Sequence, residues 1–144
     1  MILLDANLLI YSFSSSSPHY GPAHQWLEDL LSSPQAVALA WATINAFLRV
    51  STNPRAYAHP YTAAEAAQIV SDLLETPTVH ILNPGERYWH IFRNLLVEAQ
   101  VTANLVSDAH LAALAIEHGA LLCTTDRDFS RFPGLRWENP LEKT

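Results

Sequence analysis

The sequence predicts an α/β fold with a mostly parallel central sheet, and three observations carry that expectation. The chain opens on a short, uninterrupted apolar run, Met1-Ile2-Leu3-Leu4, and similar runs recur over 36–41, 79–82 and 120–125. Such runs suit strands buried on both faces, as in a parallel sheet. The stretches between them place apolar residues at helical spacing, and strands alternating with helices are the signature of parallel crossovers. A chain of 144 residues is expected to form one domain, 1–144, large enough to bury a real core.

The first strand ends in Asp5, and Ala6-Asn7-Leu8 turns the chain towards a helix. Ligands of open α/β sheets bind beyond the carboxyl ends of strands, so Asp5 either belongs to a site or caps that helix. Ser14-Ser15-Ser16-Ser17 reads as a loop, with Ser17-Pro18 as N-cap and first helical residue. Trp26, Leu27, Leu30 and Leu31 then share one face, and Pro34 ends the helix. Ala36-Val37-Ala38-Leu39-Ala40-Trp41 is the second strand. Thr43 is expected to cap a helix with Ile44, Phe47 and Leu48 on one stripe and Asn45, Arg49 and Thr52 on another, closed by Asn53-Pro54. Thr62-Ala63-Ala64-Glu65 matches a capping box before Ala66, Ile69, Val70, Leu73 and Leu74. Val79-His80-Ile81-Leu82 is the third strand, stopped by Asn83-Pro84-Gly85. A helix over about 86–100 follows, with Tyr88, Ile91, Phe92, Leu95 and Leu96 inward. Ser107 is expected to cap a helix that runs to His118 and stops at Gly119. The fourth strand, Ala120-Leu121-Leu122-Cys123-Thr124-Thr125, delivers Asp126, and Leu135-Arg136-Trp137 is a candidate edge strand.

Composition excludes several classes. Hydrophobic content of 49% against 15% charged argues against disorder, and no apolar run is long enough for a membrane span. The apolar start lacks a basic leader and is interrupted by Asp5, so it is not read as a secretory signal. Cys123 stands alone, which rules out an intrachain disulfide and a thiolate zinc site. The expected location is the cytoplasm. A net charge of −6 argues against a nonspecific nucleic-acid coat protein but not against a nuclease whose acids hold metal ions. Lys143 is the only lysine, so neither a P-loop nor Schiff-base chemistry in the core is available. His19 and His24 are poorly aligned on a helix face, His110 is expected to project sideways, and no zinc site is expected. The four tryptophans, Trp26, Trp41, Trp89 and Trp137, are scattered and read as core or interface residues.

The acids are the informative residues. Asp126 repeats the pattern of Asp5, an apolar strand followed by a carboxylate, and Asp128 follows closely. Asp108 opens a helix, where the macrodipole favours negative charge. It also shares a stripe with Leu111, Ala112 and Ala115, which puts it on the buried face. Buried carboxylates are protonated, paired or metal-bound, and with no lysine nearby a hard divalent cation suits these oxygens. Metal binding and plain capping both stand at this point.

The stretches Met1-Ile2-Leu3-Leu4-Asp5-Ala6-Asn7, Phe47-Leu48-Arg49-Val50, Ser107-Asp108-Ala109-His110-Leu111-Ala112-Ala113 with Gly119, and Thr124-Thr125-Asp126-Arg127-Asp128-Phe129 resemble the PIN-domain ribonucleases. More narrowly, they resemble the VapC toxins of bacterial toxin–antitoxin pairs. The resemblance runs through nearly the whole chain in the right order. It implies a three-layer α/β/α domain, an Mg2+- or Mn2+-dependent endoribonuclease acting on RNA, a homodimer, and neutralisation by a small protein antitoxin. Carried over by position, Asp5, Asp108 and Asp126 are the catalytic and metal-binding acids, with Asp128 as a further metal ligand. The chain departs from the family where relatives carry a Glu after the second strand: Ala46 takes that position, with Asn45 beside it as a possible auxiliary ligand.

The implied reaction is hydrolysis leaving a 5′-phosphate, with metal-activated water and charge stabilisation. Arg49, Arg127 and Arg131 lie close in sequence to the site elements and are candidate RNA-phosphate contacts, or surface charge that aids solubility. A receiver domain or a haloacid-dehalogenase-like phosphatase also ends a parallel strand in Asp, but both need a supporting lysine that Lys143 is poorly placed to supply. The alternative within the fold is an inactive or weakly active PIN-like module that binds RNA or protein.

Overall fold

The computed structural model describes residues 1–142. At the centre of its sheet lies β1, Ile2–Leu4. On one side come β2 (Val37–Leu39) and then β3 (Val79–Ile81); on the other come β4 (Leu121–Cys123) and then β5 (Trp137–Glu138). Every pairing is parallel, so the sheet goes beyond the mostly parallel expectation. Ile2 aligns with both Val37 and Leu121, and Leu4 with Cys123.

Side chains alternate across the strands and divide the core in two. Leu4, Val37, Leu39 and Cys123 face a cluster built with Leu8, Leu27, Ile44, Phe47 and Val70. Leu3, Ala38 and Leu122 face the opposite cluster, which holds Leu95, Leu111, Leu114 and Phe129. The first layer is thus α1 (Ala6–Phe13), α2 (Tyr20–Leu31), α3 (Trp41–Ser51) and α4 (Ala63–Glu75). The second is α5 (Tyr88–Glu98) and α6 (Leu105–His118). The result is the three-layer α/β/α arrangement.

Several boundaries differ from the sequence expectation, and all for local reasons. The apolar run over 36–41 does not stay a strand: Ala40 is an extended N-cap and Trp41 begins α3, 51% exposed. Thr43 is therefore inside the helix, and its hydroxyl donates to the Leu4 carbonyl at 3.3 Å. An unbroken apolar run carries no period to mark the junction between strand and helix. Ser107 likewise falls within the first turn of α6, whose N-cap is Asn104. Residue His19, not Ser17, precedes α2. Leu74, expected inward, is 36% exposed.

Other expectations hold. Thr62 and Glu65 form the reciprocal capping box. Gly119 ends α6 at φ +65°, a left-handed conformation in which a β-carbon is strained.

Candidate active site

The strand order fixes where a site can form. The chain lays β2 and β3 on one side of β1, then returns to add β4 and β5 on the other. The β1–β4 boundary is therefore the topological switch point, where open α/β sheets leave a crevice beyond the strand ends. Asp5 follows β1, and Asp126 lies just beyond β4. The Asp5 backbone N–H donates to the Cys123 carbonyl at 3.0 Å, which continues the ladder up to the carboxylate.

Thr124 joins the two acids. It is fully buried; its hydroxyl donates to Asp5 Oδ2 at 2.7 Å and accepts the Asp126 backbone N–H at 3.0 Å. The other Asp5 oxygen accepts the Ala6 N–H at 2.7 Å and caps α1. Asp126 Oδ1 accepts the Asp128 N–H at 2.9 Å and caps a short 3-10 helix, Arg127–Arg131. Capping and clustering are thus not rivals: the bonds that cap these helices also hold the acids at one sheet edge.

Asp108 completes the group from the first turn of α6, half-buried. Its pKa is pushed up to about 6, first by burial and then by the charges of Asp126, Asp5 and Asp128, with Arg131 drawing it back. Burial also raises Asp5, opposed by its bonds from Thr124 and Ala6 and reinforced by Asp126. Asp5 and Asp108 look into a cleft of about 150 Å³ lined also by Ala42, Thr43, Ala46 and Ser107.

The donor chemistry suits a hard divalent cation: oxygen ligands only, mutually repelling, with the guanidinium of Arg131 as the cation that relieves Asp108. Among the described residues, however, no three His, Cys, Asp or Glu side chains are already gathered into a metal-holding cluster.

The remaining sequence candidates sort clearly. Asp128 is exposed and meets Arg131 at 3.5 Å. Arg127 is 80% exposed and pairs with Glu142 at 2.8 Å. Arg49 and Asn45 are exposed on α3; Asn45 does not line the cleft, whereas Ala46 does. His110 does not stand apart: it hydrogen-bonds Tyr88 of α5, and burial lowers its pKa. The buried Cys123 thiol is pushed up to about 12 and is inert as a nucleophile. Lys143 lies outside the described residues. Sequence reasoning passed over Thr124, although a hydroxyl closing an apolar strand two residues before an acid was the available signal. It also passed over Ala42, which has no chemistry to announce it.

Comparisons with known proteins agree with the fold. The PIN-domain family model matches residues 2–135. Ribonuclease VapC37 of Mycobacterium tuberculosis is 39% identical over 140 residues, covering 97% of each chain. Ribonuclease VapC33 of the same species is 34% identical over 143 residues, covering 99% of this chain and 100% of its own. Among solved structures, VapBC2 from Rickettsia felis, bound to a DNA fragment from its promoter, superposes with a TM-score of 0.69 at 21% identity, covering 96% of this chain and 98% of that one. VapC20 of Mycobacterium tuberculosis, a sarcin–ricin-loop-cleaving toxin, gives 0.69 at 16% identity, covering 94% and 99%. These last two likenesses show the fold.

Proposed function

Since the chain belongs to the PIN-domain family, and within it to the VapC ribonucleases, we propose that it is an Mg2+- or Mn2+-dependent endoribonuclease toxin neutralised by a small protein antitoxin. The observation that carries the metal-dependent part is the state of Asp108, held at about 6 by burial and by three neighbouring carboxylates. A group of acids under that repulsion is poised to take up a cation. Asp5, Asp108 and Asp126 would hold it, with Asp128 at the margin.

An ion held by these acids would supply an activated water and neutralise charge on the attacked phosphate. The chain's own contribution is placement. Thr124 fixes Asp5 Oδ2, the sheet edge fixes Asp126, and α6 brings Asp108 to them across the cleft. Water adds to phosphorus and the bond to the 3′-oxygen breaks, leaving a 5′-phosphate and a 3′-hydroxyl. No ribose 2′-hydroxyl takes part as nucleophile. The same acids would accept an arginine from the antitoxin as a charge-assisted, bidentate plug. Assembly as a homodimer belongs to this proposal.

Purified protein should cut RNA with Mn2+, stop with EDTA, and fail to cut as Asp5→Asn. Cleavage that survives EDTA, or that Asp5→Asn retains, would sink the reading. Ala46 in the cleft wall favours one alternative, a weak or inactive module that binds RNA or protein. That alternative predicts RNA retention without cleavage under all metal conditions.

A further inference from the structure

Helix α3 borders the cleft with Ala42 and Ala46, which stand four apart on one stripe. The neighbouring stripe is Trp41, Asn45 and Arg49, again four apart, and all three are exposed. At about 100° per residue, Arg49 falls about 20° from Ala42, Asn45 about 60° from it and Trp41, at the start of the helix, about 100° from it. Trp41 keeps 51% of its surface in water, whereas the aromatic of the same helix, Phe47, is fully buried. Arg49 takes part in none of the ion pairs among the described residues, unlike Arg127 and Arg131. No Asp or Glu occurs anywhere in α3 to neutralise it. A chain with a formal charge of −6 thus leaves a free guanidinium, an amide and an indole face along the edge of its acidic cleft.

We propose that Trp41, Asn45 and Arg49 form a ridge that holds single-stranded RNA as it enters the cleft. The Trp41 ring stacks on an unpaired base flanking the cut, Arg49 binds a backbone phosphate, and Asn45 hydrogen-bonds between them. The inference rests on the ribonuclease reading and deepens it. The chemistry commits the ridge to RNA because each of its residue types has a task there. An indole stacks on any base, and a guanidinium forks onto a phosphate. The ridge also selects unpaired RNA, since a base locked in a helical stack has no free face to offer.

Binding is measured separately from cleavage, by fluorescence anisotropy of the full-length protein with a short, labelled, random-sequence RNA in Ca2+ buffer. Trp41→Ala should weaken binding about tenfold, the effect of losing one base–aromatic stack. Trp41→Phe should restore most of it. Arg49→Ala should weaken binding and lower the salt dependence by about one counterion, with Arg49→Lys keeping that slope. In Mn2+, the same losses should fall mainly on KM. Binding by Trp41→Ala and Arg49→Ala equal to that of the parent would overturn the ridge. So would equal affinity for the same RNA annealed into a duplex. A Trp41→Ala protein whose sedimentation differs from the parent's would show that a second copy covers this face, which also overturns it. A parent that binds but never cleaves refutes the ribonuclease reading and leaves the ridge standing.

Discussion

Replacing Asp108 by Asn tests whether repulsion or capping governs the acids, and the structure sets the size of the effect. Asp108 moves from 3.8 to about 6 in the fold. Two pKa steps correspond to roughly 3 kcal/mol if transmitted in full. Asp108 is only half-buried, so solvent screening reduces this to about 1–2 kcal/mol. Removing a negative charge from the first turn of α6 costs about 0.3–1 kcal/mol in the opposite sense. The net expectation for Asp108→Asn in EDTA at pH 8 is a gain of about 1 kcal/mol, or a melting rise of about 3–5 °C. The pH course follows from the sign. A carboxyl raised in the folded state takes up protons there first, so the parent is relatively most stable below 3.8 and loses that advantage as pH rises to about 6. The gap between variant and parent should therefore open between those values and stay constant above them. Thermal melts from pH 4 to 8 in EDTA make the comparison. A variant less stable than the parent at neutral pH, with the deficit closing on acidification, would mean that Asp108 serves the helix and not the site. With Mn2+, the order should reverse, since the parent gains by mass action and the variant loses a ligand.

Other substitutions probe other links. Thr124→Val removes the donor to Asp5 and the acceptor for the Asp126 N–H; it should cost about 1–3 kcal/mol and most of the cleavage rate, while Thr124→Ser keeps both. Denaturant melts and RNA cleavage read the two effects, and a Val variant as active as the parent would remove Thr124 from the site. Ala46→Glu places a carboxylate in the cleft wall and should tighten Mn2+ binding in a direct titration; unchanged affinity would show that the site does not use that position. Phe47→Ala empties a fully buried position between α3 and the sheet and should cost about 3–5 kcal/mol in denaturant melts, without a change in the pH course seen for Asp108.

The fold was legible because its three central strands, β1, β2 and β4, are short, apolar and largely buried, so each appears as a bare apolar run; the edge strands β3 and β5 carry the exposed His80 and Glu138. The same property blurred the strand ends. Ala40, Trp41 and Ala42 continue the run of β2, yet the backbone turns into α3 between them, and the exposed Trp41 reads in sequence as a core or interface residue. Asp5 and Asp126 could be matched from sequence, since both close an apolar run; that they meet at one place depends on β4 returning to lie against β1, which no local pattern encodes. Asn45 and Ala46 show the finer limit. They are adjacent in sequence, and the family's pattern gave reason to look at both. Rotation by one helical position put Ala46 into the cleft wall and Asn45 onto the exposed stripe with Trp41 and Arg49. A residue with ligand chemistry therefore faces the ridge, and one without it faces the acids. Substitutions at Trp41 and Arg49 should therefore act on RNA affinity before they act on metal, and a carboxylate at position 46 should do the reverse.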